Sequence, residues 1–426
     1  MKEDTKQTAS WLSFVLAARH DPAARILNVD LLAALIAIFL PWSTTGVLIF
    51  AVLWAVALMW TFDPGAFLRS LRNPVSTTPV ILLVLAFAGA LWSEAPWDAR
   101  YQAVGQALKL TFLPLLLYHF SRTTRGSWVL IAFVASSSLL MLASWIVSFA
   151  PTLTLKWYME PGVVVKNHID QSHVFALCVL GLAWPITVLL QRRKFLEAGL
   201  LIIVALGFIA NMAFVNLSRT VLVTLPVIVA IIVLHRMSWR AVFVALGLLA
   251  LLGGLSWTIS PALRAKTASL LPPYRLYEPE NTPTSIEIRS EYWRKSLAFI
   301  GEAPLIGHGT GSIQKLFERA AVNQTGVAAE VTGNPHNQTL HAGIQWGLVG
   351  VLALYAMWLS HLMLFRGGGW ASWAGFLIVI QNVVSSLFNS HLADFQEGWI
   401  YVLGVGVTGG MVLRAKPRSD SSPPRP

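Results

Sequence analysis

Charge is what this chain has least of. Only 12% of its 426 residues are Asp, Glu, Lys or Arg, while 55% are hydrophobic and the mean hydropathy is +0.62. A soluble chain carries about twice that charge. A single cysteine, Cys178, excludes an intrachain disulfide and leaves the redox compartment unmarked. The apolar run at residues 11–18 is short and is followed by Arg19 without a clear cleavage site. The first spans are therefore expected to act as uncleaved insertion signals. Acidic residues are scarce, 20 against 31 basic ones, and no Asp-x-Asp pair occurs. That scarcity speaks against a carboxylate cluster for Mg²⁺ or Mn²⁺.

Long charge-free windows fill the chain. Residues 127–150, 198–218, 241–263, 337–365 and 369–393 carry no ionised side chain. Each is long enough for the roughly 20 helical residues that cross a hydrocarbon core. The pattern predicts an all-α polytopic membrane protein with about twelve transmembrane helices. They are expected near 27–42, 44–62, 79–93, 99–120, 127–150, 169–190, 196–215, 220–235, 240–260, 337–365, 370–390 and 396–413.

The net charge of +11 suggests nucleic acid until its distribution is examined. Arg69 and Arg72, Arg122 and Arg125, Arg192 to Lys194, Arg236 and Arg240, Arg366, and Arg414 with Lys416 and Arg418 all follow even-numbered spans. The intervening short loops, such as "WSEAPWD" and "SHLADFQEG", are acidic or neutral. This is the positive-inside pattern, and it excludes nucleic acid as the partner. It predicts a cytoplasmic segment 1–26, transmembrane helices 1–9 over 27–260, a helical periplasmic segment 261–336, helices 10–12 over 337–413 and a cytoplasmic tail 414–426.

The segment 261–336 is too polar to span and too patterned for a linker. "TSIE" at residues 284–287 reads as a capping box that opens a helix running to about Ile300. At 100° per residue, Ile286, Trp293, Leu297 and Ile300 form an apolar stripe with Arg289 beside it, and Glu287, Glu291 and Lys295 fall opposite. An arginine there needs a partner, either a structural carboxylate or a phosphate ligand. "GHGTGS" at 307–312 lacks the phosphate-loop lysine and a preceding strand, so it reads as a turn between short helices. Arg219 in "NLSRT" falls at the same predicted membrane face, where an arginine either snorkels or binds an anion. His336 in "NPHN" falls there too, as a helix cap or as a base.

The series from Ser218–Arg219 through "RSEYWRKSLAFIGEAPLIGHGTGS" to "NPHNQTLHAGIQWGLVG" resembles the O-antigen ligase and O-antigen polymerase superfamily. The motifs cover about residues 200–365. WaaL-type ligases fit best, because the large predicted outer segment lies late in the chain. The resemblance implies a GT-C-like architecture in the bacterial inner membrane. It implies transfer of O-antigen polysaccharide from undecaprenyl diphosphate to the lipid A–core sugar, with inversion and with no metal or cofactor. The family histidine falls on His336 and the family arginines on Arg219 and Arg289. O-antigen polymerases and protein O-oligosaccharyltransferases share these motifs.

The residues suit that chemistry independently. A sugar hydroxyl becomes a good nucleophile when a base takes its proton, and neutral imidazole suits the task. Arginines can hold the departing diphosphate through paired, charge-assisted hydrogen bonds. Candidate substrate-binding residues are Lys109 inside span four, His168 at the start of span six, Arg264, Asn337 and His391. Each has a bland alternative: Lys109 snorkels, and His391 with Asp394 belongs to a solvated loop. His168 and His173, five apart, are poorly spaced as metal ligands on one helix. A transporter, the rival reading, would place its polar groups at the midplane of two repeated halves, and the sequence shows no internal repeat.

Overall fold

A computed structural model describes residues 21–153, 162–215, 218–236 and 285–415, together with 247, 254, 257–260 and 264. It is 79% helical and contains no strand among the described residues. Short polar caps start the apolar helices. Asp21 accepts from Ala23 N ahead of α1 (Pro22–Phe39), Ser43 from Gly46 N ahead of α2 (Thr44–Met59), and Asp63 from Ala66 N ahead of α3 (Pro64–Ser70). Asn73 does the same for α4 (Pro74–Trp92). Proline follows the cap in α1, α3 and α4, where its missing N–H costs nothing. Then come α5 (Trp97–Ala107), a 3₁₀ turn (Leu108–Thr111), α6 (Phe112–Phe120), α7 (Gly126–Phe149), α8 (His168–Gln191), α9 (Phe195–Phe214) and α10 (Arg219–Arg236). After the gap follow α11 (Ser285–Glu302), α12 (Ile313–Ala321), α13 (Gln338–Leu364), α14 (Trp370–Ser385) and α15 (Phe395–Ala415).

Eight of these segments are long and apolar enough to cross a membrane, counting α5 to α6 as one, and the pair α2 and α3 makes a ninth, bent by 116°. With the shorter α10 and α14 they occupy eleven of the twelve expected positions. The expected span at 240–260 and the cap at Thr284 lie outside the described residues, apart from Gly247, Gly254 and 257–260.

Helix α15 is the hub. Of its most apolar window 72% is buried, against 28% for α9. The cause is the glycine-rich run "GVGVTGG". A Cβ at Gly406 would lie 2.5 Å from Leu116 Cβ, and one at Gly410 would lie 2.6 Å from Phe120 Cβ. Small residues let α15 and α6 approach closely without a hydrophobic drive between them.

Helices α11 and α12 pack outside this bundle. Their own small core is Tyr292, Phe299, Ile313, Leu316 and Phe317, closed by Ile344 of α13. The buried stripe of α11 differs from the expected one. Ile286 and Leu297 are 61% and 62% exposed, whereas Tyr292, Lys295, Ser296 and Phe299 are buried. Lys295, expected on the polar side, lays its stem inward and donates from Nζ to Ala328 O at 2.5 Å. The long aliphatic stem explains the error, because it covers apolar surface while its tip bonds a carbonyl. The corrected stripe runs through Arg289, three residues before Tyr292.

The turn 307–312 forms as expected, and its role is backbone repair. Helix α13 breaks at Gly347, whose φ of 60° and ψ of −151° are outside helical space. The freed carbonyls of Ile344 and Gln345 accept from His308 N at 2.8 Å and Gly309 N at 2.9 Å. Leu348 N in turn donates to Pro304 O at 2.8 Å. A Cβ at Gly347 would sit 2.4 Å from Leu305 C, so glycine is required there. The kink therefore has its lost hydrogen bonds replaced, as a break in an apolar setting demands.

Candidate active site

His336 owes its position to the short segment before α13. Asn334 Oδ1 accepts from His336 N at 2.9 Å, closing a local turn. His336 takes φ 53°, the left-handed region that costs a non-glycine residue about 1–3 kcal/mol. Asn337 then caps α13, its Oδ1 accepting from Thr339 N at 2.9 Å and Leu340 N at 3.1 Å. Its Nδ2 donates to Leu387 O at 3.2 Å, tying the start of α13 to the end of α14.

The imidazole is held from two sides. The Tyr292 ring of α11 stacks on it, 6.1 Å between centroids and 16° from parallel. Its Nδ1 lies 2.9 Å from Asn389 Oδ1 in the loop between α14 and α15. The direction of that bond follows from the next one. Asn389 Nδ2 donates to Asp394 Oδ2 at 2.6 Å, so the amide nitrogen is spoken for. Asn389 Oδ1 therefore accepts, from Asn334 Nδ2 at 3.0 Å and from His336 Nδ1–H. The chain Asp394–Asn389–His336 fixes the tautomer and leaves Nε2 with the lone pair. Burial lowers the His336 pKa, and the positive charge of Arg289 lowers it further. The Asn389 bond and the Asp394 charge pull the other way, and the balance stays below the ordinary imidazole value. A neutral His336 at neutral pH is the form a base needs.

The structure brings Arg289 into this group. It is half-buried on α11, and its charge acts on His336. Arg219 is the first residue of α10, and its side chain lies outside the described residues. Ser218, fully buried, donates its N–H to Ser172 Oγ of α8 at 3.1 Å, one residue from His173. Lys109 is buried, and its Nζ donates to the backbone carbonyls of Ala393 and Asp394. It thus pegs the loop that carries Asn389 and Asp394. His168 is the half-buried first residue of α8, capped by Asn167. Arg264 is exposed, one turn beyond Ser260. His391 is buried, with Nδ1 3.3 Å from Asp394 Oδ2.

A cleft of about 230 Å³ opens beside Asn389, lined by Lys166, Asp170, Asp394, Gln396 and Glu397 among others. Lys166 Nζ donates to Leu40 O at 2.7 Å and to Gln396 Oε1. Burial brings the Lys166 pKa down to about 8, against the opposing pull of Asp170 and Glu397. Glu397 of that lining meets His173, with His173 Nδ1 3.4 Å from Glu397 Oε1. The imidazoles of His173 and His391 meet edge to face, 5.1 Å apart. One donor atom each from His173, His391 and Glu397 falls within 4.8 Å of the others, so these residues could hold a metal ion. His168 is absent from that group.

Sequence reasoning missed Tyr292, Asn334 and Asn389. Asn334 stands in the same "NPHN", and Tyr292 is one helical turn beyond Arg289. Asn389 had a weaker signal, a polar cluster "FNSHLAD" closing a charge-free run.

The arrangement offers a poised base beside a guanidinium at the mouth of a helical bundle. Residues 204–355 match the family model described as O-antigen ligase. The chain is 24% identical over 316 residues to an O-antigen ligase of Pseudomonas aeruginosa, covering 70% of this chain and 67% of that relative. It is also 24% identical over 266 residues to an uncharacterized protein of Haemophilus influenzae, covering 60% of this chain and 64% of that relative. Over part of its length the chain is thus similar to O-antigen ligases, and its apolar helices fit a multi-pass membrane protein.

Proposed function

We propose that the protein moves O-antigen polysaccharide from undecaprenyl diphosphate to the lipid A–core sugar at the periplasmic face of the bacterial inner membrane. His336 Nε2 takes the proton of the acceptor hydroxyl as that oxygen attacks the anomeric carbon. The diphosphate leaves from the opposite side, so a single displacement inverts the centre. Arg289 and Arg219 hold the diphosphate as its charge grows. The observation that carries this reading is the Asp394–Asn389–His336 chain, which leaves Nε2 unprotonated beside the Arg289 charge. Tyr292 keeps the ring plane fixed.

The periplasmic placement rests on the distribution of basic residues. A reporter fused after residue 300 should read periplasmic and one after Lys194 cytoplasmic. The reverse result would remove the lipid A–core acceptor from reach.

The deciding experiment is reconstitution with purified donor lipid and either lipid A–core or a second donor molecule. A single product of donor glycan on lipid A–core is expected. A ladder formed from donor alone would make the enzyme a polymerase, and transfer only to protein would make it an O-oligosaccharyltransferase. Downhill movement of the donor lipid without any new glycosidic bond would point to a transporter.

A further inference from the structure

We propose that His173, His391 and Glu397 bind one borderline transition-metal ion of the zinc class, which clips the loop carrying Asn389 to α8 and α15. The ion would sit behind Asn389 rather than at His336, and the proposal does not rest on the glycosyl-transfer reading.

Three separate elements supply the donors: α8, the loop after α14, and α15. All three side chains are buried, at 1%, 1% and 7% exposure. Their donor atoms gather within 4.8 Å, close enough for small side-chain movements to complete a site. One detail favours an ion over simple hydrogen bonding: the Nε2 atoms of His173 and His391 are both buried without a hydrogen-bond partner. Buried imidazole nitrogens are rarely left so. His173 Nδ1 lies 3.4 Å from Glu397 Oε1, which leaves Nε2 as the ligand atom of that ring.

The outer partners fit the same picture. His391 turns Nδ1 to Asp394, the carboxylate–histidine arrangement that orients a ligating imidazole. Asp170 hydrogen-bonds Glu397. Two imidazoles and one carboxylate suit Zn²⁺ or Co²⁺ and disfavour Mg²⁺ and Ca²⁺, which want oxygen. Three protein ligands leave a fourth position for water. Lys109 and Lys166 oppose a cation there, and the charges of Asp394 and Glu397 offset them.

The test uses the full chain, purified in detergent without substrate. Metal content by mass spectrometry and titration with Zn²⁺ should show one ion per chain. Co²⁺ should give the visible absorption of a tetrahedral N/O site. His391→Ala and Glu397→Gln should abolish saturable binding, and Asp394→Asn should weaken it by about 10–100-fold. Glu318→Gln, an exposed position on α12, should bind Zn²⁺ like the wild type. Wild-type protein with an unchanged melting profile that takes up neither ion would overturn the proposal. So would uptake indifferent to all three ligand-side substitutions. Should chelation unfold the protein, the metal content as purified, wild type against Glu397→Gln and Asp394→Asn, decides the matter. Because no donor lipid is present, a failed transferase assay cannot be mistaken for a missing ion.

Discussion

The two ends of the bundle each bury a carboxylate beside an imidazole, and they do so differently. On the face opposite His336, Asp30 is fully buried and fully answered. Its Oδ1 meets His119 Nε2 at 2.9 Å, and its Oδ2 accepts from Thr123 Oγ1 at 2.9 Å and from Arg125 at 3.3 Å. Both carboxylate oxygens of Asp30 thus have partners. On the His336 face, Gln381 Oε1, Ser386 Oγ, Ser390 Oγ and both Nε2 atoms of His173 and His391 are buried without partners. A cleft lined by Asn389, Asp394 and Glu397 opens on the same face, and His336 holds a strained backbone. Closed, satisfied polar groups lock helices together. Open and unsatisfied ones keep capacity for something not yet bound.

Substitution should separate the two ends. The largest effect is expected at His336. His336→Ala should lower turnover by about 10²–10⁴-fold, the usual contribution of a positioned base. Donor lipid should still copurify and the melting temperature should hold. Full activity in that variant would remove the base assignment. At the opposite end the same kind of change should act on stability alone. Asp30→Ala leaves His119, Thr123 and Arg125 facing a buried gap and should cost about 3–5 kcal/mol. Activity per folded molecule should stay near wild type, and a specific activity that fell with the fold intact would break the comparison.

Next in size come the arginines. Arg289→Ala and Arg219→Ala should each lower turnover by about 10²–10³-fold, as loss of a transition-state donor does. Donor binding should weaken too. Lysine should rescue poorly, because it lacks the planar fork. A smaller effect tests the electrostatics directly. His336 is needed neutral, and its pKa lies below the usual imidazole value of about 6.5. Activity should therefore persist through neutral pH and fall only on the acid side of that value. Arg289 is one cause of the lowering, so in Arg289→Gln the acid limb of the residual activity should move to higher pH. A limb that stays put would mean that Arg289 does not face the base.

The helical bundle was legible because apolar runs and basic loops follow from membrane physics residue by residue. His336 and Arg289 were legible because short motifs carried them. What escaped were contacts between distant segments. Asn389 meets His336 across 53 positions, and Asp394 reaches His336 through Asn389. Lys109 was visible as a buried charge, but its partners lie 284 and 285 residues on. The helix wheel of α11 misplaced Lys295 because it scores a side chain by its tip, while the stem decides which way it lies. The glycines of 307–312 suggested a turn, and only the break at Gly347 gave that turn its purpose.

The smallest expected effect concerns hard divalent ions. The groups gathered at His336 are a guanidinium, an aromatic ring and two amides, with Asp394 reached only through Asn389. Such a set offers Mg²⁺ or Mn²⁺ no cluster of oxygen anions. Arginine can neutralise the leaving diphosphate in their place. Brief exposure to excess EDTA should therefore leave the rate of transfer to lipid A–core within about twofold of its starting value, far less than the loss from a missing charge-stabilising donor. The proposed ion at His173, His391 and Glu397 is buried and should survive so short a treatment, which metal analysis of the same sample would verify. Loss of activity that Mg²⁺ or Mn²⁺ alone restores, with zinc content unchanged, would transfer the electrophilic role from the arginines to a metal.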